Sequence, residues 1–119
     1  GFEPDSKTLS LAKDNVELCD LPGQAVEDSD LVTTDVWTSM GDENESEKRK
    51  HLFKGYQINQ SLFEKAKSDA IFLHCLPAHR GEEVDAEVID GPRSRVWQQA
   101  HNRLFTSKAL IEFLLNESK

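Results

Sequence analysis

Three short stretches concentrate the side chains that can do chemistry. The first runs from Asp35 to Gly41, directly after the β-branched run Leu31-Val32-Thr33-Thr34. An aspartate where a buried strand emerges can present its carboxylate to an ammonium group. Ser39, Met40 and Gly41 follow with a hydroxyl, a flexible polarizable side chain and a backbone hinge, the parts of a loop able to close over a ligand. The plainer alternative is a capped strand end followed by a solvated loop.

The second stretch is His74 to Gly81, closing the most apolar run of the chain, Ala70-Ile71-Phe72-Leu73-His74-Cys75-Leu76. Side chains alternate faces along a strand, so His74 and Cys75 point to opposite sides and only one of them meets a ligand. A thiol beside an amine can exchange a proton with it or orient it. The alternative for Cys75 is a small apolar core residue, the commoner fate of a free cysteine. His79-Arg80 adds cationic donors. The third stretch, Ala100 to Arg103, places Asn102-Arg103 at the expected start of the last helix, where backbone N–H groups and the helix dipole favour an anion. A guanidinium there offers a planar fork to carbonyl or phosphate oxygens; otherwise Arg103 is a surface residue stacked over Trp97.

The elements that must position these clusters alternate in type. Pro4-Asp5 opens a helix with Leu9, Ala12 and Val16 at helical spacing, and Val16 to Cys19 reads as a short strand. After the Pro22-Gly23 turn, Gln24 to Asp28 allows one or two helical turns, and Asp30 to Trp37 is a buried strand running into a loop. The polar segment Thr38 to Glu47 is expected as exposed loop. Glu45 to Phe53 has helical charge pairing, such as Glu45 with Arg49, ended by Gly55. Asn59 or Ser61 caps a helix expected through Lys67, and Ala70 to Leu76 is a strand closed by Pro77. Val84 to Ile89 suits a brief helix, Gly91-Pro92 a turn, Arg95 to Trp97 a last strand, and 102–116 the terminal helix. This pattern predicts an α/β fold, a doubly wound, mainly parallel sheet with helices on both faces. In such sheets ligands lie beyond the carboxyl ends of the strands, where all three clusters fall.

Composition narrows the function classes. At 119 residues, 37% apolar and 30% charged, the chain fits one globular domain. Its apolar runs last only a few residues, against about 20 for a membrane span. Net charge is −8; residues 1–47 carry 13 acidic and 2 basic side chains (−11) and the remainder 9 and 12 (+3). Overall acidity argues against nucleic acid, while Arg80, Arg93, Arg95 and Arg103 offer sites for a small anion. Cys19 and Cys75 make no C-x-x-C pair and no zinc-like spacing with the four histidines, so no metal site is expected and a reducing cytosolic setting is. The chain starts Gly1-Phe2-Glu3-Pro4 without Met or a basic and apolar leader, which reads as a chain cut from something longer or freed of a targeting segment; an organellar matrix fits the second case.

Taken in order, the clusters resemble the ornithine carbamoyltransferase family. The matching stretches are Thr34-Asp35-Val36-Trp37-Thr38-Ser39-Met40-Gly41, Phe53-Lys54-Gly55-Tyr56-Gln57, Leu73 through Val84 with its His74-Cys75-Leu76-Pro77 core, Val88-Ile89-Asp90-Gly91-Pro92, and Asn102-Arg103-Leu104. The D-x-x-x-S-M-G and H-C-L-P pieces are the most specific. The resemblance implies transfer of a carbamoyl group from carbamoyl phosphate to the δ-amine of L-ornithine, giving L-citrulline and phosphate, with no metal or organic cofactor. It implies that Asp35 holds the ornithine α-ammonium, that Ser39 and Met40 belong to a loop closing on ornithine, and that Cys75 accepts or orients a proton. The carbonyls of Cys75 and Leu76, with Arg103, would contact carbamoyl phosphate. A cis Leu76-Pro77 bond is implied as well.

On this resemblance, residues 1–119 form a partial L-ornithine-binding domain whose terminal helix returns to a separate carbamoyl-phosphate domain. The phosphate loop S-x-R-T-R of that domain does not occur here, nor do the first strands of the ornithine domain. The chain alone is therefore expected to be inactive, and the complete enzyme a cytoplasmic homotrimer of arginine biosynthesis or a urea-cycle type step. His101 stands where the family commonly has glutamate. Leu110, Ile111, Phe113, Leu114 and Leu115 give the last helix an apolar face wider than one sheet covers. Two other readings are a sibling enzyme using putrescine or another amine, which S-M-G disfavours, and a non-catalytic binding domain on the same fold.

Overall fold

The computed structural model describes residues 2–38 and 45–117. Asp5 starts the first helix, α1 (Ser6–Ala12), because its carboxylate accepts the otherwise orphaned N–H groups of Lys7 and Thr8 at 3.0 Å each. A 3-10 turn over Lys13–Asn15 follows, and Val16 is extended (φ −132°, ψ 130°). The strand expected at Val16 to Cys19 is not formed: Val16 and Leu18 stay exposed and the segment pairs with neither described strand. β-propensity reports how a side chain fits a pleated surface, and without a neighbour's ladder it yields only extended backbone.

Among the described residues the sheet has two strands, β1 (Leu31–Thr34) and β2 (Ile71–His74), parallel and in register from Leu31 opposite Ile71 to Thr34 opposite His74. Both are shorter than the apolar runs that announce them. Val32, Phe72 and His74 face one side, where they are buried with Val26, Ile58, Phe63, Val84, Val88, Ile89 and Val96. Phe63 and Phe72 meet edge to face, with ring centroids 6.1 Å apart. Three short helices contribute to this core, α2 (Pro22–Val26), α4 (Gln60–Phe63) and α5 (Ala86–Ile89), while α3 (Ser46–Phe53) buries no residue. The Glu45–Arg49 pair expected on α3 forms at 3.4 Å. Asn59 caps α4 by accepting the Leu62 N–H at 2.9 Å, but the helix ends at Phe63 instead of Lys67 and turns follow. The Gly91 turn is steric: a Cβ there would lie 2.3 Å from the Glu87 carbonyl oxygen.

No strand forms over Arg95 to Trp97. Phe72 donates its N–H to Arg93 O at 3.0 Å and accepts from Arg95 N at 2.9 Å, a single parallel bridge opposite Ser94. The chain then enters α6 (Val96–Glu117), with Gln99 N bonded to Arg95 O at 2.9 Å. Val96 and Trp97 favour a strand locally, yet Val96 fills the core as the first helical residue, and Gln98-Gln99-Ala100 carry the helix on. The terminal helix thus begins well before Asn102. Along it Leu104, Phe105, Leu110, Ile111, Phe113, Leu114 and Leu115 are 52–66% exposed. Among the described residues no helix is long and apolar enough to cross a membrane.

Candidate active site

Because Thr34 and His74 are register partners, the residues after them leave the sheet side by side. The Cys75 thiol donates to Asp35 Oδ1 at 3.1 Å, and the same oxygen accepts the Val36 N–H at 2.7 Å. These bonds, the thiol's first and then the backbone's, favour the ionised carboxyl and hold Asp35 below the usual carboxylate range. The carboxylate in turn raises Cys75 above the ordinary thiol range, with partial burial adding to it. At neutral pH the pair is a thiol donating to a carboxylate. Both residues are exposed, so an incoming cation can reach Asp35 directly.

His74 points the other way, as strand alternation requires, and is 1% exposed. Its Nδ1 accepts the Leu76 N–H at 2.9 Å, which places the ring proton on Nε2. That nitrogen lies 3.2 Å from Oε1 of Glu83, and the same oxygen accepts the His79 N–H at 2.6 Å. Glu83 is 0% exposed. The turn so held is tightly wound: Leu76 has φ 58°, in the left-handed region that costs an L-residue roughly 1–2 kcal/mol. The Leu76-Pro77 bond is cis, as the resemblance implies. From α6, Gln99 Oε1 accepts the His74 N–H at 3.0 Å and Arg103 Nη1 donates to the Cys75 carbonyl at 3.3 Å.

The structure therefore brings Asp35, Cys75 and Arg103 together at the carboxyl ends of β1 and β2, with Leu76 in the intervening turn. Ser39, Met40 and Gly41 lie outside the described residues. The expectation of a helix start at Asn102-Arg103 is overturned. Those residues are in the second turn of α6, where their N–H groups belong to the helix, and Arg103 acts through its guanidinium alone. It reaches a carbonyl of the site and does not lie over Trp97. The other arginines have structural partners. Arg80 makes a two-pronged pair with Asp90 at 2.7 and 2.8 Å, Arg93 lies 4.0 Å over the Phe63 ring, and Arg95 caps the carbonyls of Pro92 and Ser94. Among the described residues no three His, Cys, Asp or Glu side chains gather as a metal-binding group.

Sequence reasoning missed Glu83 and Gln99. Glu83 stands inside the Leu73 to Val84 stretch, but nothing in its type distinguishes it from the half-buried Glu82 beside it. The one available signal is its position next to Val84 in a segment that must pack inward.

Comparison with known proteins identifies the family. The family model for "Aspartate/ornithine carbamoyltransferase, Asp/Orn binding domain" matches residues 1–114. An ornithine carbamoyltransferase of Chromohalobacter salexigens is 52% identical over 115 residues, covering 97% of this chain and 38% of that protein. Among solved structures, the ornithine carbamoyltransferase of Pyrococcus furiosus matches with a TM-score of 0.83 at 49% identity, over 92% of this chain and 37% of that one. The Thermus thermophilus enzyme matches with a TM-score of 0.84 at 43% identity, over 97% and 37%. The chain belongs to the aspartate/ornithine carbamoyltransferase family, in the part described as its Asp/Orn binding domain. It spans under two-fifths of the length of these relatives.

Proposed function

We propose that residues 1–119 are the ornithine-binding part of an ornithine carbamoyltransferase, acting on L-ornithine and carbamoyl phosphate to give L-citrulline and phosphate. The observation that carries this reading is the Asp35–Cys75–Arg103 arrangement at the carboxyl ends of two adjacent parallel strands. In the reaction the δ-amine nitrogen bonds to the carbamoyl carbon, the carbon–oxygen bond to phosphate breaks, and the amine gives up a proton. Asp35 supplies the charge that holds the amino acid's α-ammonium. Cys75, a thiol already engaged with that carboxylate, lies where it can orient the amine or relay its proton. Arg103, beside the Cys75 carbonyl, is placed to polarise the carbamoyl oxygen. Ser39 and Met40 complete the ornithine side of the site by their match to the family motif, and the Leu76 carbonyl the carbamoyl side.

The same reading assigns the phosphate-binding groups to a separate carbamoyl-phosphate domain. It takes the complete enzyme as a cytoplasmic homotrimer serving arginine formation, working without a cofactor. The test is product analysis of the complete enzyme with carbamoyl phosphate and a panel of amines. Citrulline from ornithine is expected. Carbamoylputrescine in its place gives the site to a sibling transferase, and no carbamoylated product leaves a binding domain.

A further inference from the structure

Two wholly buried polar side chains take no part in the chemistry just described, yet they grip the turn that carries it. Glu83 Oε1 accepts from His74 Nε2 and from the His79 backbone, at 3.2 and 2.6 Å. Through the ring, His74 Nδ1 holds the Leu76 N–H at 2.9 Å. One carboxylate oxygen therefore fixes both ends of the segment 76–79, directly at His79 and through the imidazole at Leu76. Cys75 lies just before this segment, and its carbonyl faces Arg103. Leu76 sits in a backbone region that leucine rarely adopts unaided, and its N–H is the atom His74 secures.

We infer that Glu83, acting through His74, is a positioning residue that aims the Cys75 thiol and the Cys75 and Leu76 carbonyls at the reacting carbamoyl group; this rests on the carbamoyl-transfer reading above. Both ring nitrogens of His74 are occupied and the ring faces away from the Cys75 thiol across the strand. The clamp works by hydrogen-bond geometry, with no proton passed along it. Its other oxygen, Oε2, is buried without a protein partner, so the grip depends on Oε1 alone, and a glutamine amide oxygen can reproduce it.

The experiment compares Glu83→Gln with Glu83→Leu in the enzyme completed by its carbamoyl-phosphate domain. Glutamine keeps an acceptor for both donors and is expected to lower kcat less than about 5-fold, whereas leucine releases the turn and lowers it by at least about 30-fold, misplacement of about an ångström being worth that much. The KM for ornithine is expected to change less than about 3-fold in both, because Asp35 follows β1 and is not part of the clamp. Equal losses in the two variants would assign the effect to charge and overturn the inference. So would a folded Glu83→Leu of normal kcat, or KM rising in step with the fall in kcat. Should Glu83→Leu fail to fold, His74→Asn serves: it keeps an acceptor near the place of Nδ1 and loses the Nε2 donor, and unchanged kcat there overturns the inference equally. Amide hydrogen exchange on the 119-residue chain reads the clamp apart from the reaction. Leu76 and His79 should exchange slowly in the parent and in Glu83→Gln and fast in Glu83→Leu; in His74→Asn the unanchored acceptor should let Leu76 exchange faster, while His79, held directly by Glu83, stays slow, with Phe72 slow throughout. That pattern, with an enzyme that makes no citrulline even when completed by its carbamoyl-phosphate domain, would leave the grip intact and remove the role assigned to it.

Discussion

Asp35 and Cys75 set one another's protonation, and the sign of each effect fixes where in pH the pair holds together. Asp35 is lowered in the folded chain, so its contribution to stability is present above the ordinary carboxylate range and lost as pH falls through the lowered value. Cys75 is raised, so its contribution is complete below the ordinary thiol range and lost as pH rises through the raised value. Between those limits the thiol is a poor nucleophile, since the thiolate is the reactive form. In a Cys19→Ser background, Asp35→Asn should speed alkylation of Cys75 by iodoacetamide at pH 8 by about 3- to 10-fold; equal rates would mean that the 3.1 Å contact is not kept in solution. In the complete enzyme the same substitution removes a charge-assisted contact worth about 1.5–3 kcal/mol, a loss of roughly 10- to 150-fold in kcat/KM for ornithine. Binding of carbamoyl phosphate should stay within about 3-fold. Parallel losses for both substrates would make Asp35 a residue of the fold and not of the ornithine site.

At the scale of elements, the site was legible because parallel strands of known order put their carboxyl ends together. The apolar runs Asp30 to Trp37 and Ala70 to Leu76 located both strands to within two or three residues at their carboxyl ends, near enough to place Asp35 and Cys75 there. What stayed hidden depends on contacts distant in sequence. Val96-Trp97 has strand-forming side chains, and burial of Val96 in the core decides for a helix; the misread start of α6 in turn put Arg103 at a helix terminus it does not occupy. Val16 to Cys19 has the pattern of a strand but no ladder to join. Glu83 was hidden for a related reason, since burial of a carboxylate follows from its partners and these come from His74 and His79. The cap of α4 was legible to one of two residues, Asn59 or Ser61, and it is Asn59, three residues before Leu62, that makes the local bond. Asn59→Ala should lower stability by about 1 kcal/mol in a denaturant melt. No change would mean that α4 is held in place by burial of Phe63 alone.

For the whole molecule, the exposed apolar surface and the open sheet decide how the chain behaves by itself. Leu104, Ile111 and Leu115 recur at helical spacing along α6 and are each 59–66% exposed, and β1 pairs on one side only. An unpaired strand edge and an uncovered apolar helix face are both routes to association. The chain also spans under two-fifths of the relatives it matches. Rate in carbamoyl transfer comes from holding the amine against the carbonyl carbon and stabilising the departing phosphate, effects worth several kcal/mol each. On the proposed reading Asp35, Cys75 and Arg103 serve the first and reach the carbamoyl oxygen, while the phosphate falls to another domain. The 119-residue chain is accordingly expected to sediment as associated species and to form no citrulline at saturating substrates. Ile111→Glu with Leu115→Glu should shift it toward monomer. Mixing the unsubstituted chain with the separately expressed carbamoyl-phosphate half should restore citrulline synthesis, and the glutamate pair should weaken that restoration by blocking the face the two halves share. Citrulline made by the 119 residues alone would refute the division of labour. Restoration as strong with the glutamate pair as without it would show that the α6 face meets some other surface.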